Sequence, residues 1–251
     1  MNTPARLLLL ASIFTAVPET AAAPNTILSS LYHPTAPPVA PGTDFVRCAF
    51  EAGWGSKYMG EGIDLWESPL YYANTRLLLG DAMLSSWYGV ATDNSKGELK
   101  FRFDYSHDFG RLNVAPWYEQ SFVFPGNRGI PRPGLKLTWN FTDHFYAGSD
   151  CYWQHNEGVF RGYYAAFAGY LQPIGEHWEY ELTTRYGYNG GYVRSAARGS
   201  NAQDFNNRIR WRAARGLVIE VFANYSLALS SLRHARLGDD FYYGIALRFE
   251  F

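Results

Sequence analysis

The stretch DFYYGIALRFEF, Asp240 to Phe251, decides the fold. Its odd positions are apolar throughout: Phe241, Tyr243, Ile245, Leu247, Phe249 and Phe251. Its even positions from Tyr242 on, Tyr242, Gly244, Ala246, Arg248 and Glu250, are small or carry a polar group. Successive side chains of a strand point to opposite faces. Strict alternation therefore reads as a strand with one face toward an apolar phase and the other toward a polar one. The chain stops on Phe251 without a polar tail. Terminal residues of a soluble β domain usually fray, so an edge strand of such a domain is the weaker reading.

The same alternation recurs upstream. Leu217–Ala228 sets Leu217, Ile219, Val221, Ala223 and Tyr225 against Glu220, Phe222, Asn224 and Ser226. Before it, Ala202–Ala213 sets Phe205, Asn207, Ile209 and Trp211 against Asn206, Arg208, Arg210 and Arg212. A ninth strand sets Trp178, Tyr180, Leu182, Thr184 and Tyr186 against Glu179, Glu181, Thr183 and Arg185. Gly134–Phe141 and Glu98–His107 alternate as cleanly, the latter with Leu99, Phe101, Phe103 and Tyr105 against Lys100, Arg102, Asp104 and Ser106. Strand-like segments near 44–57, 70–79, 82–91, 111–124, 145–154 and 159–172 bring the total to about twelve. The eighth, 159–172, carries tyrosines and glycines on both faces, so its phase is open. Pro116 predicts a bulge in the fifth, because proline donates no ladder hydrogen bond.

The links sort by length. Gly80-Asp81, Asp108–Gly110, Thr142–His144, Pro173–Glu176 and Ala214–Gly216 are tight turns. The intervening links at 58–69, 93–97, 125–133, 189–201 and 230–239 are longer, and only 155–158 is short. Alternating short and long links describe an up-and-down barrel with both termini at the turn end. Segments of this length suit a tilted bilayer crossing, and a closed barrel leaves no unpaired edge in lipid. Trp54, Tyr71, Trp87, Trp139, Trp153, Trp178 and Tyr225 stand near strand ends, as interfacial girdles require. The expected fold is all-β, an antiparallel up-and-down transmembrane β-barrel over residues 44–251.

Composition agrees without deciding. The 251 residues include 18% aromatic residues and 24 glycines, and the mean hydropathy of −0.25 is too low for a bundle of membrane helices. A carbohydrate-binding β-sandwich has a similar composition. A formal net charge of −1 speaks against a nucleic-acid partner. Residues 1–23 read as a cleaved signal peptide: Arg6, an apolar run from Leu7 to Val17, then small residues to Ala23. Residues 24–43, rich in proline, read as an irregular periplasmic linker.

Tyr242-x-Gly244-x-x-Leu247-x-Phe249-x-Phe251 resembles the C-terminal assembly signal of bacterial outer-membrane β-barrels. The mature chain as a whole resembles small porins of the TorF type. That likeness is carried by Ser56–Gly62 after the first strand, by Phe103–Asp108 at the end of the fourth, and by the C-terminal signal. Met59 and Gly60 stand where that family has Phe and Arg. The resemblance implies a bacterial outer-membrane location, with the barrel-assembly machinery, outer-membrane lipid and a small hydrophilic solute as partners. It implies a passive channel without a cofactor.

The residues themselves carry little catalytic chemistry. Cys48 and Cys151 fall on strands one and seven, too far apart around the barrel for a disulfide, and both read as membrane-facing. A lipid hydrolase needs a serine and a histidine in mutual reach. Ser106 and His107 are adjacent and point to opposite faces, and His144 and Ser149 are out of phase. The six histidines are scattered, without metal-ligand spacing. The charges on the polar phase are the candidate site: Lys100, Arg102, Arg185, Arg208, Arg210 and Arg212, with Glu179, Glu181 and Glu220. Two roles are open to them. One is to rigidify a narrow barrel by pairing. The other is to line the lumen with an arginine column that favours anions. Small polar-phase residues, Ala49, Gly53, Ala115, Gly148, Gly187 and Ala246, predict room along parts of the wall. The expectation is a narrow channel with mild anion preference; the alternatives are a pore-less structural or adhesive barrel and, less favoured, an outer-membrane lipid hydrolase.

Overall fold

The structure, a computed structural model, describes residues 46–126, 128–156, 159–192 and 198–251. The expected signal peptide (1–23) and proline-rich linker (24–43) lie outside the described residues. Twelve long strands follow one another: β1 Val46–Gly55, β2 Leu70–Leu79, β3 Ala82–Ala91, β4 Gly97–Tyr105, β5 Leu112–Phe124, β6 Arg128–Asn140, β7 Phe145–Asn156, β8 Val159–Ile174, β9 Trp178–Gly190, β10 Gly199–Ala214, β11 Leu217–Ala228 and β12 Asp240–Glu250. Each pairs antiparallel with its chain neighbours, and β1 pairs with β12, so the sheet closes on itself. This is the barrel the alternation predicts. No helix among the described residues is long and apolar enough to cross a membrane.

The closure is made by the deciding stretch. Ala49 stands opposite Glu250 and Gly55 opposite Gly244. The ladder runs on to the last residue: the Cys48 amide donates to the Phe251 carbonyl at 3.1 Å and the Phe251 amide to the Cys48 carbonyl at 2.9 Å. Phe241, Tyr243, Ile245, Leu247 and Phe249 face outward and exposed, while Tyr242, Gly244, Ala246 and Arg248 are buried in the lumen. The same division holds round the barrel. Ile209, Val221, Leu84, Phe101 and Phe103 are all exposed, and a continuous apolar exterior of this extent marks a surface made for contact with apolar material. In β8, Tyr163, Ala165, Phe167 and Gly169 point inward and Tyr164, Ala166 and Ala168 outward. The phase was open from the pattern because both faces carry the same residue types.

Three details differ from expectation. Pro116 makes no bulge: β5 keeps one register with β6 from Leu112↔Trp139 to Val123↔Arg128. The β4 ladder instead breaks at Ser106 and resumes at His107–Phe109 in the same register. Next, β6 begins at Arg128, so the β5–β6 link is short rather than a long loop. Pro131 and Pro133 are tolerated because that half of β6 pairs only with β5, and the β7 ladder starts at Gly134. Proline is admitted where one strand edge is free. Finally, Trp87 belongs to no girdle. It points into the lumen, 8% exposed, because β3 turns its odd residues inward.

Candidate functional site

The lumen is built by the inward phase of every strand. On the side of the barrel closure a chain of charges crosses six adjacent strands. Arg76 of β2 lies 3.7 Å from Glu51 of β1. The Arg248 guanidinium of β12 donates from Nε to Glu51 at 3.0 Å and from Nη2 to Glu220 at 3.3 Å. Arg210 of β10 donates from Nε to Glu220 of β11 at 2.8 Å, and its two Nη atoms reach Glu179 and Glu181 of β9. Tyr146, on β7, donates to Glu181 at 2.9 Å. Register explains the sequence of signs: Glu179 stands beside Arg210, Arg210 beside Glu220, and Arg248 beside Glu51. Charge-assisted bonds of this kind are strong when desolvated, and each buried charge here needs its partner.

The opposite wall is similarly paired. Arg102 donates to Asp104 at 2.6 Å and lies over the Trp117 ring at 4.0 Å. The Trp117 indole donates to Asp150 at 3.3 Å, and Arg185 approaches the same carboxylate at 3.7 Å. Arg132 donates to Glu119 at 2.7 Å. Glu98 receives the Ser121 hydroxyl at 2.6 Å and faces Lys100 at 3.7 Å.

Lys100, Arg102, Glu179, Glu181, Arg185, Arg208, Arg210 and Glu220 lie on the inward phase, buried or half-buried. Arg208 and Arg210 are buried, and Arg208 lies 3.9 Å from Glu220. Arg212 stands apart at the turn end, half-exposed, 3.8 Å from Glu250. Arg76, Glu98 and Arg132 complete the lining and were not expected. Arg76 could have been found from the β2 alternation Leu70, Tyr72, Asn74, Arg76. Arg132 was hidden between two prolines.

The room expected beside the small residues is taken. A Cβ on Gly53 would fall on the Tyr72 ring, one on Gly169 on the Tyr146 ring, and one on Gly187 on the Tyr163 ring. These glycines seat aromatic side chains from neighbouring strands, and the rings fill space that the sequence left open. Tyr72, Tyr146, Tyr163, Phe167 and Phe222 are all buried.

At the loop end, the connection from Ser56 to Pro69 turns into the barrel. It forms a small ladder, Met59–Gly60 against Ile63–Asp64. Tyr58 stacks on Trp87 with centroids 5.3 Å apart, leans on Trp66 at 4.4 Å, and donates to Glu98. Burial and the Glu98 carboxylate push the Tyr58 hydroxyl well above its ordinary range, so it stays a donor. The tip, Glu61, accepts from the Tyr152 hydroxyl of β7, and its carbonyl accepts from Asn201 of β10. A short helix, α1 Ser230–His234, buries Leu232 against Ala202 and Ala228, with Ile63 of the loop packed alongside.

Elsewhere, the His107 ring meets Asp81 at 2.8 Å while Ser106 accepts from Asn113 at 2.8 Å on the other face. Serine and histidine are therefore not brought together. Cys48 and Cys151 are free and half-buried.

No protein-family model matches the sequence, and no curated protein is detectably similar to it. Solved structures match by fold. The KdgM porin superposes with a TM-score of 0.58 at 11% identity, over 81% of this chain and 99% of the porin. The NanC porin gives 0.55 at 12% identity, over 80% and 98%. An outer-membrane channel from Pseudomonas putida F1 gives 0.50 at 9% identity, over 86% and 100%. The chain thus has the fold of outer-membrane β-barrel channels across its described length. One KdgM structure is a complex with disordered oligogalacturonate.

Proposed function

We propose that this chain is an outer-membrane channel for passive diffusion of small hydrophilic solutes. The carrying observation is a closed twelve-strand barrel, apolar outside, whose inner wall carries paired charges interspersed with aromatic rings. Barrels of this strand number lie between those filled by their own side chains and the wide porins, so passage is narrow. Export by the N-terminal signal peptide and assembly through the C-terminal signal complete the reading. Anion preference is mild, because the arginines of the lumen are matched by carboxylates. KdgM, which is known in complex with a polyanionic sugar, shares the fold. Solute moves down its own gradient without a cofactor. Swelling of proteoliposomes in neutral sugars of graded size tests the reading: small sugars enter and larger ones do not. Equal, lipid-only permeability for every sugar contradicts it.

A second reading is a pore-less structural barrel, and the tight burial of the lumen favours it. Glu181 and Arg248 are each 3% exposed and Arg185 is 1%. In that case no sugar enters although the protein is folded.

A further inference from the structure

We propose that the β1–β2 loop, Ser56 to Pro69, sets the cross-section through which solutes pass, and that Glu61 is the latch holding it across the lumen. This deepens the channel reading and rests on it.

The loop starts and ends on adjacent strands, yet its tip bonds to Tyr152 on β7. In a ring of twelve strands, β7 stands six places from β1, so the loop spans the barrel from wall to wall. Its flanks are filled as well. Tyr58, Trp66 and Trp87 pack on one side, and on the other Gly62 lies against Ala202, Leu232 and Ser226. Any solute moving along the lumen must pass the loop.

The loop is organised to move as one piece. It carries its own ladder, and the Leu65 amide donates to the Tyr58 carbonyl at 2.8 Å. Its base is tied by Lys57 to Asp240 and Asp64. The tip depends on few bonds: Tyr152 to the Glu61 carboxylate and Asn201 to the Glu61 carbonyl. Glu61 has φ 51°, in the left-handed region. A non-glycine residue persists there only where its surroundings over-determine it, and such positions gather at clamps and switches. Releasing the latch relieves that conformation and frees the tip.

A crosslink tests this. A Cβ on Gly62 would lie 2.5 Å from the Ala202 Cβ. A disulfide needs about 3.8 Å between Cβ atoms, so bridging needs a retreat of the loop and a cysteine held in the left-handed region at residue 62, where φ is 79°. The full chain carries Gly62→Cys and Ala202→Cys, with Cys48 and Cys151 changed to Ser. A second variant replaces residues 60–64 by two glycines. Folding of both is checked by heat-modifiable migration, and bridge formation by mass. Single-channel conductance is read for each in planar bilayers. The oxidised crosslinked protein, its loop pinned where the latch already holds it, should conduct no more than the natural chain, and the shortened loop several-fold more.

A natural chain that conducts, with the shortening leaving its conductance unchanged, overturns the loop's role and leaves the channel intact. Folded variants that all fail to conduct overturn both.

Discussion

Glu220 stands among three guanidiniums, Arg210 at 2.8 Å, Arg248 at 3.3 Å and Arg208 at 3.9 Å. Glu220→Gln removes one carboxylate they share; breaking a buried pair from one side costs about 3–5 kcal/mol, and the partners left to Arg210 and Arg248 keep the loss below that. The folded band in a heat-modifiability series should disappear at a clearly lower temperature than for the unaltered chain. An unchanged midpoint would mean that water reaches this network freely. Gly187→Val puts branched carbon where the Tyr163 hydroxyl sits. Overpacking of this kind typically costs about 1–3 kcal/mol, and the same series should register it. Much of the charged wall was legible because period two sorts charges by face. The aromatic seats were not. A glycine says nothing about which ring from the next strand will lie over it, and that depends on register, which the sequence of one strand does not contain.

The terminal strand joins the two ends of the barrel, and Phe251 adds two backbone hydrogen bonds with Cys48. Deleting Phe251 should sharply reduce the fraction of chain that reaches the heat-modifiable folded form in the outer membrane. Normal yield would remove the last residue from assembly. About twelve strand-like segments were visible, most of them by alternation, but the phase of β8 was not, and strand ends were less so. β6 reaches back through Pro131 and Pro133 because only one of its edges is laddered there, a fact of three dimensions rather than of propensity. The inward course of the β1–β2 loop left one trace, the apolar residues Tyr58, Met59 and Trp66 in a connection that would otherwise be polar. Loops have no period, so that trace does not give direction.

Along much of the inner wall cations are paired with carboxylates, and in the proposed channel this limits selectivity. Replacing Arg208, Arg210 and Arg212 by serine removes the ion-pair partner of Glu179 and Glu181 and leaves Glu220 with Arg248 alone, so the reversal potential should shift toward cation preference. Arg212→Ser alone, at the half-exposed turn end, should shift it less and in the same direction. An unchanged potential in both would take the arginine column out of the permeation path. The division between apolar exterior and polar lumen was legible from alternation, whereas whether the lumen stays open depends on how its side chains interlock. The most direct measurement is the current carried by the purified, folded chain in a planar bilayer under a salt gradient. We expect small discrete conductance steps with a reversal potential displaced slightly toward the anion equilibrium value. A folded protein that leaves the bilayer silent at every voltage would contradict that expectation.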